Sequence, residues 1–172
     1  MIGYIYPHVS QGVYTHRIYP LPAPGQNAIE KDENGMQFFL PMIPPTVTHQ
    51  TQAVRVVRGK PVFYEPPALR DARAKLEAHL AKHAPPEPYT SAVRMMVKWC
   101  FPVAGRHLNG EYKATRPDTD NLQKLLKDVM TGLRFWKDDA LVASEIVEKF
   151  WADVPGIYIA IEPLYRGAHE RI

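Results

Sequence analysis

Seventeen prolines among 172 residues, about twice the usual share of roughly 5%, set the first limit on what this chain can build. Proline fixes φ and lacks an N–H, so it is excluded from helix interiors and from central strands. Here the prolines punctuate rather than form a tract, and they cut the chain into short elements. Pro20, Pro22 and Pro24 predict an irregular extension over residues 1–35, closed by an Asn34-Gly35 turn. Met36 to Leu40 reads as a strand stopped by Pro41, Pro44 and Pro45. Val54 to Val57 and Pro61 to Tyr64 read as a hairpin around Arg58-Gly59-Lys60.

Pro66-Pro67 predicts a helix start, since proline suits the first turn, and Pro85-Pro86 predicts its end. Leu69, Ala72, Leu76 and Leu80 form its apolar stripe. Ala92 to Phe101 alternates as a strand, with Val93, Met95, Val97 and Trp99 on one face and Arg94, Met96 and Lys98 on the other. A polar loop, Gly105 to Lys113, follows. Asn121 to Leu133 carries Leu122, Leu125, Leu126, Val129, Met130 and Leu133 at helical spacing. Glu145 to Trp151 and Ile157 to Ile161 read as strands joined by the turn Asp153-Val154-Pro155-Gly156. The expected fold class is α+β: a single domain with a small mixed or antiparallel sheet and two main helices. Residues 36–164 form that domain, and 165–172 a C-terminal tail.

Composition narrows the function classes. Hydrophobic residues at 45% and charged residues at 23% exclude a mostly disordered chain. No apolar run approaches the roughly 18 residues of a membrane span. Residues 1–11 lack the basic flank and apolar core of a secretory signal, and the one cysteine, Cys100, makes no internal disulfide, so a cytoplasmic location is expected. The net charge of +3 is mild, but its distribution is uneven. Residues 35–63 and 89–109 hold no acids, whereas Asp118 to Glu148 holds most of the later ones. Acids gathered within a basic context suggest a metal site serving a polyanion; chance clustering on solvated faces is the alternative.

The informative stretch is Arg116-Pro117-Asp118-Thr119-Asp120-Asn121-Leu122-Gln123-Lys124, continuing through Asp128 to Asp138-Asp139. Asp120 is expected to cap the helix, with Gln123 at capping-box spacing. Asp120, Lys124 and Asp128 follow at i, i+4 and i+8 on the face opposite the leucines. Hard divalent cations want oxygen donors, and magnesium commonly takes one or two carboxylates with phosphate and water. Asp118 and Asp120 supply two, and Asp138 or Asp139 a third; Lys124 is placed to stabilise charge at a phosphate. Each part also has a plain reading, as a cap, as exposed ion pairs, or as a turn.

Together these residues resemble the RusA-type Holliday junction resolvase family. The match rests on Pro117-Asp118-Thr119-Asp120-Asn121-Leu122-Gln123-Lys124 and on Phe135-Trp136-Lys137-Asp138-Asp139 before a strand. The strand running into Leu40-Pro41-Met42-Ile43-Pro44-Pro45 is also similar, and the resemblance spans roughly Met36 to Leu164. It implies that Asp118, Asp120 and Asp139 coordinate magnesium (manganese being a possible substitute) and that Lys124 is catalytic. Asn121, Asp128 and Asp138 match supporting positions. It further implies a homodimer that resolves four-way junctions by paired symmetric cuts in DNA recombination and repair. Some relatives carry a dense arginine run before the first aspartate, where this chain has Lys113 and Arg116; residues 1–35 have no evident counterpart. The rival readings are a nuclease for flaps or forks and a non-catalytic DNA-binding module.

Weaker signals complete the reading. Arg55, Arg58 and Lys60 on the hairpin, with Lys113 and Arg116, are candidate DNA contacts, a solvated turn being the alternative for the first three. Trp99, Phe135, Trp136 and Trp151 suit base stacking or, as ordinary aromatics, a core or subunit interface. His79 and His83 stand one turn apart, but no third zinc ligand is evident, so a solvated helix face is expected.

Overall fold

The computed structural model describes residues 35–47 and 65–164 in full, together with the backbone of the strands within 4–10, 13–19, 30–32, 53–57 and 60–64. Its elements are strands β1 (Tyr4–Ser10), β2 (Val13–Tyr19), β3 (Glu30–Asp32), β4 (Gly35–Leu40), β5 (Ala53–Val57) and β6 (Lys60–Tyr64); helix α1 (Pro67–Leu80); strand β7 (Val93–Pro102); helix α2 (Thr119–Gly132); and strands β8 (Val142–Ala152) and β9 (Gly156–Pro163). The expected α+β class holds.

The main sheet has the order β3-β4-β9-β7-β8. It is mixed: β7 and β8 run parallel, and every other neighbouring pair runs antiparallel. A parallel pair needs a crossover, and α2 provides it. The short turn between β8 and β9 therefore does not close a hairpin. It carries the chain across the end of β7, so that β8 and β9 flank that strand on opposite sides.

Alternation along the strands gives the sheet one fully buried face. Val93, Met95, Val97 and Trp99 of β7, Ile157, Ile159 and Ile161 of β9, and Met36, Phe38 and Leu40 of β4 pack with the stripes of both helices. The α1 stripe is Leu69, Ala72, Leu76 and Leu80; that of α2 is Leu122, Leu125, Leu126, Val129 and Met130. Pro occupies the first turn of α1, as its sequence requires, and a 3-10 turn at Ala81–His83 ends the helical run before Pro85. Gly35 opens β4 at φ +138, where a Cβ would overlap the Ile161 carbonyl oxygen; only glycine fits there.

Two sequence expectations need correction at this level. The extension over 1–35 is not irregular throughout: β1 and β2 pair antiparallel, Tyr4 opposite Tyr19 through Ser10 opposite Val13, and β3 adds to the β4 edge. The prolines at 20, 22 and 24 follow this hairpin rather than interrupt it. The two β-rich runs on either side of Gln11-Gly12 were the overlooked signal. His83 is not on a solvated face. It is 6% exposed and stacks on Phe38 with ring centroids 4.4 Å apart. Lys98, on the opposite face of β7, is buried as well, with its ammonium 5.6 Å from the centroid of the Tyr158 ring.

The β5–β6 hairpin forms as expected, with Val57 opposite Lys60. Arg58 and the side chains of Arg55 and Lys60 lie outside the described residues, as does the tail 165–172. No helix among the described residues is long and apolar enough to cross a membrane.

Candidate active site

The segment between β7 and α2 returns along β8 before it turns into the helix. Gly110 N donates to Trp151 O, Trp151 N to Glu111 O, and Lys113 N to Lys149 O, at 2.8–2.9 Å. The chain then passes Thr115 and Pro117, with the Arg116–Pro117 peptide cis, and enters α2. The ammonium of Lys149 on β8 donates to the Thr115 carbonyl at 2.8 Å and to the Pro117 carbonyl at 2.7 Å. Asp118 is the next residue.

Asp118, not Asp120, is the N-cap of α2: its φ and ψ of −77° and 147° are extended, and Leu122 N donates to its carbonyl. Asp120 lies within the first turn. The helix thus starts two residues earlier than its leucine spacing suggests, because Thr119 and Asp120 adopt helical geometry without contributing to the apolar stripe. The Asp118 carboxylate makes no capping hydrogen bond. Among the described residues no hydrogen bond or ion pair engages the Asp120 carboxylate. Both side chains are exposed at the positive end of the helix dipole, where an anion is favoured.

Gln123 does not complete a capping box. It is buried, and its Oε1 accepts from the Trp99 indole Nε1 at 3.3 Å. A buried indole N–H needs an acceptor, and that demand outweighs the cap. Lys124, one turn beyond Asp120, is exposed and makes no ion pair among the described residues. Its neighbour Lys127 pairs instead with Glu145 of β8 at 2.9 Å. Asn121 is buried under the helix start, and Asp128 is half-buried.

The paired aspartates divide their work. Asp138 caps the 3-10 turn Asp139–Leu141, its Oδ1 accepting from Ala140 N at 2.8 Å. Asp139 is exposed in that turn. The crossover topology puts it at the start of β8, whereas Asp118 and Asp120 sit at the other end of α2, a 14-residue helix. At 1.5 Å rise per residue that helix is about 20 Å long. Consistently, no group of three His, Cys, Asp or Glu side chains gathers to hold a metal among the described residues. One chain brings together Asp118, Asp120 and Lys124, and leaves Asp139 apart. Two uncapped carboxylates in Asp-x-Asp spacing fit magnesium, which takes few protein ligands and keeps several waters.

The candidate DNA contacts and aromatics are sorted by burial. Arg116 is exposed. Lys113 is buried instead: its ammonium lies 4.2 Å from the Trp151 ring centroid and 5.3 Å from that of Phe101, and it donates to Thr115 Oγ1. Burial, and secondarily the charge of Lys149, lower its pKa below the usual lysine value. Trp99, Phe135 and Trp136 are core residues with 0–1% exposure, which leaves them no face for base stacking. Trp151 is half-buried, with His107 stacked on it at 4.6 Å. Lys149 is the residue that sequence reasoning missed. Lysine in a strand gives no periodic signal, and its partners are carbonyls that no motif records.

An α+β chain with a βαβ crossover, oxygen donors exposed at the crossover helix's positive end and an unpaired lysine one turn on has the outline of a nuclease. The family model described as Endodeoxyribonuclease RusA matches residues 42–162. A protein of Lactococcus phage r1t, named crossover junction endodeoxyribonuclease rusA, is 32% identical over 108 residues, covering 62% of this chain and 79% of its own length. The chain belongs to the RusA endodeoxyribonuclease family and is an endonuclease of that hydrolase class.

Proposed function

We propose that this chain is a magnesium-dependent endodeoxyribonuclease that resolves four-way DNA junctions as a homodimer, in recombination and repair in the cytoplasm. The observation that carries the reading is the Asp118–Asp120 pair: two exposed carboxylates free of capping, at the N-terminus of α2, with Lys124 one turn away. The family match and the phage relative's name supply the junction. Residues 36–164 form the nuclease domain.

Asp118 and Asp120 would hold the metal, which when bound would supply Lewis-acid polarisation of the scissile phosphate and a more acidic water; manganese would substitute as another oxygen-loving divalent ion. Lys124 stabilises the charge that develops on the phosphate oxygens. Asn121 and Asp128 support the helix face, and Asp138 holds the turn that presents Asp139. Because α2 separates Asp139 from the pair within one chain, Asp139 completes a site by acting on the Asp118–Asp120 pair of the second copy. Arg116, together with Arg55, Arg58 and Lys60, grips DNA phosphates.

The test is cleavage of a labelled four-way junction with magnesium, beside flap, fork and linear duplex controls. Paired junction cuts that fall by about 100-fold or more in Asp118→Asn and Asp120→Asn are expected. Preferential flap or fork cutting would replace the substrate and keep the chemistry. Binding without cutting, unchanged in both variants, would leave a non-catalytic DNA-binding module. Co-refolding Asp118→Asn with Asp139→Asn tests the shared site. If Asp139 acts across the dimer, mixed dimers keep one intact site and nick the junction once, whereas sites confined to single chains leave them inactive.

A further inference from the structure

Two ammonium groups contact the segment that leads into the aspartate pair, and among the described residues neither makes an ion pair with a carboxylate. Lys113 is satisfied by Thr115 Oγ1 and the faces of Trp151 and Phe101. Lys149 is satisfied by two backbone carbonyls, Thr115 at 2.8 Å and Pro117 at 2.7 Å. Partly burying a cation without a counter-ion costs free energy. The chain accepts that cost twice at the segment that presents Asp118.

The geometry assigns Lys149 the role of positioning residue for the Asp118–Asp120 pair, acting through the carbonyls of Thr115 and Pro117; this rests on the metal-binding reading above. Pro117 adjoins Asp118, so fixing its carbonyl fixes the extended N-cap from which the Asp118 carboxylate projects. Lys149 is itself set by the sheet: it lies opposite Trp99 in the β7–β8 register, and its own carbonyl accepts from Lys113 N at 2.9 Å. The same Trp99 holds Gln123 of α2 at 3.3 Å. The N-cap is therefore referenced to the β7–β8 pair from two sides, by Lys149 before it and by Gln123 after it. A lysine serves because its three donors can satisfy two carbonyls at once.

The test uses the full chain and a readout independent of cleavage. Manganese binding is followed by the loss of the free-ion electron paramagnetic resonance signal in wild type, Lys149→Met, Lys149→Arg and the double variant Asp118→Asn/Asp120→Asn, with folding checked by circular dichroism. Lys149→Met is expected to weaken binding roughly tenfold or more, the usual scale for groups that orient metal ligands. Lys149→Arg, which keeps charge and paired donors, is expected to recover most of the affinity. In cleavage, the metal concentration for half-maximal rate rises in Lys149→Met while KM for DNA holds. If Lys149→Met does not fold, Lys149→Gln, which keeps one donor site without charge, takes its place with the same expectation. Wild-type affinity in a folded Lys149→Met or Lys149→Gln overturns the assignment. A wild type that binds no better than the double variant overturns the metal reading itself.

Discussion

The indole Nε1 of Trp99 donates to Gln123 Oε1 across 3.3 Å, joining strand β7 to the first turns of the helix that presents Asp118 and Asp120. Both residues are buried, at 0% and 4% exposure. Gln123→Ala leaves the indole N–H without its acceptor and opens a small cavity, at a combined cost of about 2–3 kcal/mol. For a domain of this size that is a fall in Tm of roughly 4–12 °C by differential scanning calorimetry. The nuclease rate is expected to fall by more than unfolding explains, since α2 loses a fixed point beside its N-cap.

His83 carries a pH dependence with a definite sign. Burial against Phe38, and then the charges of Lys82 and His79, lower its pKa below the ordinary 6.5; its Nδ1 has no hydrogen-bond partner among the described residues. The folded protein therefore binds this proton less readily than the unfolded chain. Its stability contribution is present in full above pH 6.5 and is lost as pH falls below that value and through the lowered folded pKa. Tm measured between pH 7.5 and pH 5 is expected to decline more in the wild type than in His83→Phe, which keeps the ring stacked and cannot be protonated. Equal slopes would remove His83 from the acid response.

Much of this architecture was legible because burial acts on period. The α1 stripe from Leu69 to Leu80 and the β7 alternation from Val93 to Trp99 fell where the spacing placed them, and the prolines marked the ends. What was not legible required knowing which elements meet. Gln123 left the capping box because Trp99 lies under it, and Lys113 left the surface because Trp151 and Phe101 lie under it. The Asp118–Asp120 pair was readable from its spacing. Its distance from Asp139 was not, since that follows from the parallel order of β7 and β8, which no local pattern encodes.

Cys100 gives an independent check on the sheet. Burial pushes its thiol up to about 11, only partly offset by nearby Lys98. The thiolate is the reactive form, so at pH 8 the folded protein is expected to react slowly with a thiol-specific disulfide reagent and quickly after denaturation in guanidinium. Rapid reaction of the native protein would show that β7 is less protected than its 8% exposure at Cys100 implies.

Lys124 separates chemistry from folding most directly. It is exposed on α2, and among the described residues it makes no ion pair, unlike Lys127, which is held by Glu145 at 2.9 Å. Lys124→Met therefore removes no ion pair among the described residues, and a stability change within about 0.5 kcal/mol is expected. If the ammonium stabilises charge on the phosphate, kcat falls by roughly 10²–10³-fold, the scale for losing one preorganised donor. Manganese affinity and junction binding stay near wild type, because neither Asp118 nor Asp120 depends on it. Lys127→Met reverses the pattern: it loses the ion pair to β8 and some stability, and keeps the rate. Rapid-quench cleavage beside calorimetry on both variants makes the comparison, and a Lys124→Met enzyme with wild-type kcat would assign this lysine to the solvated face of α2.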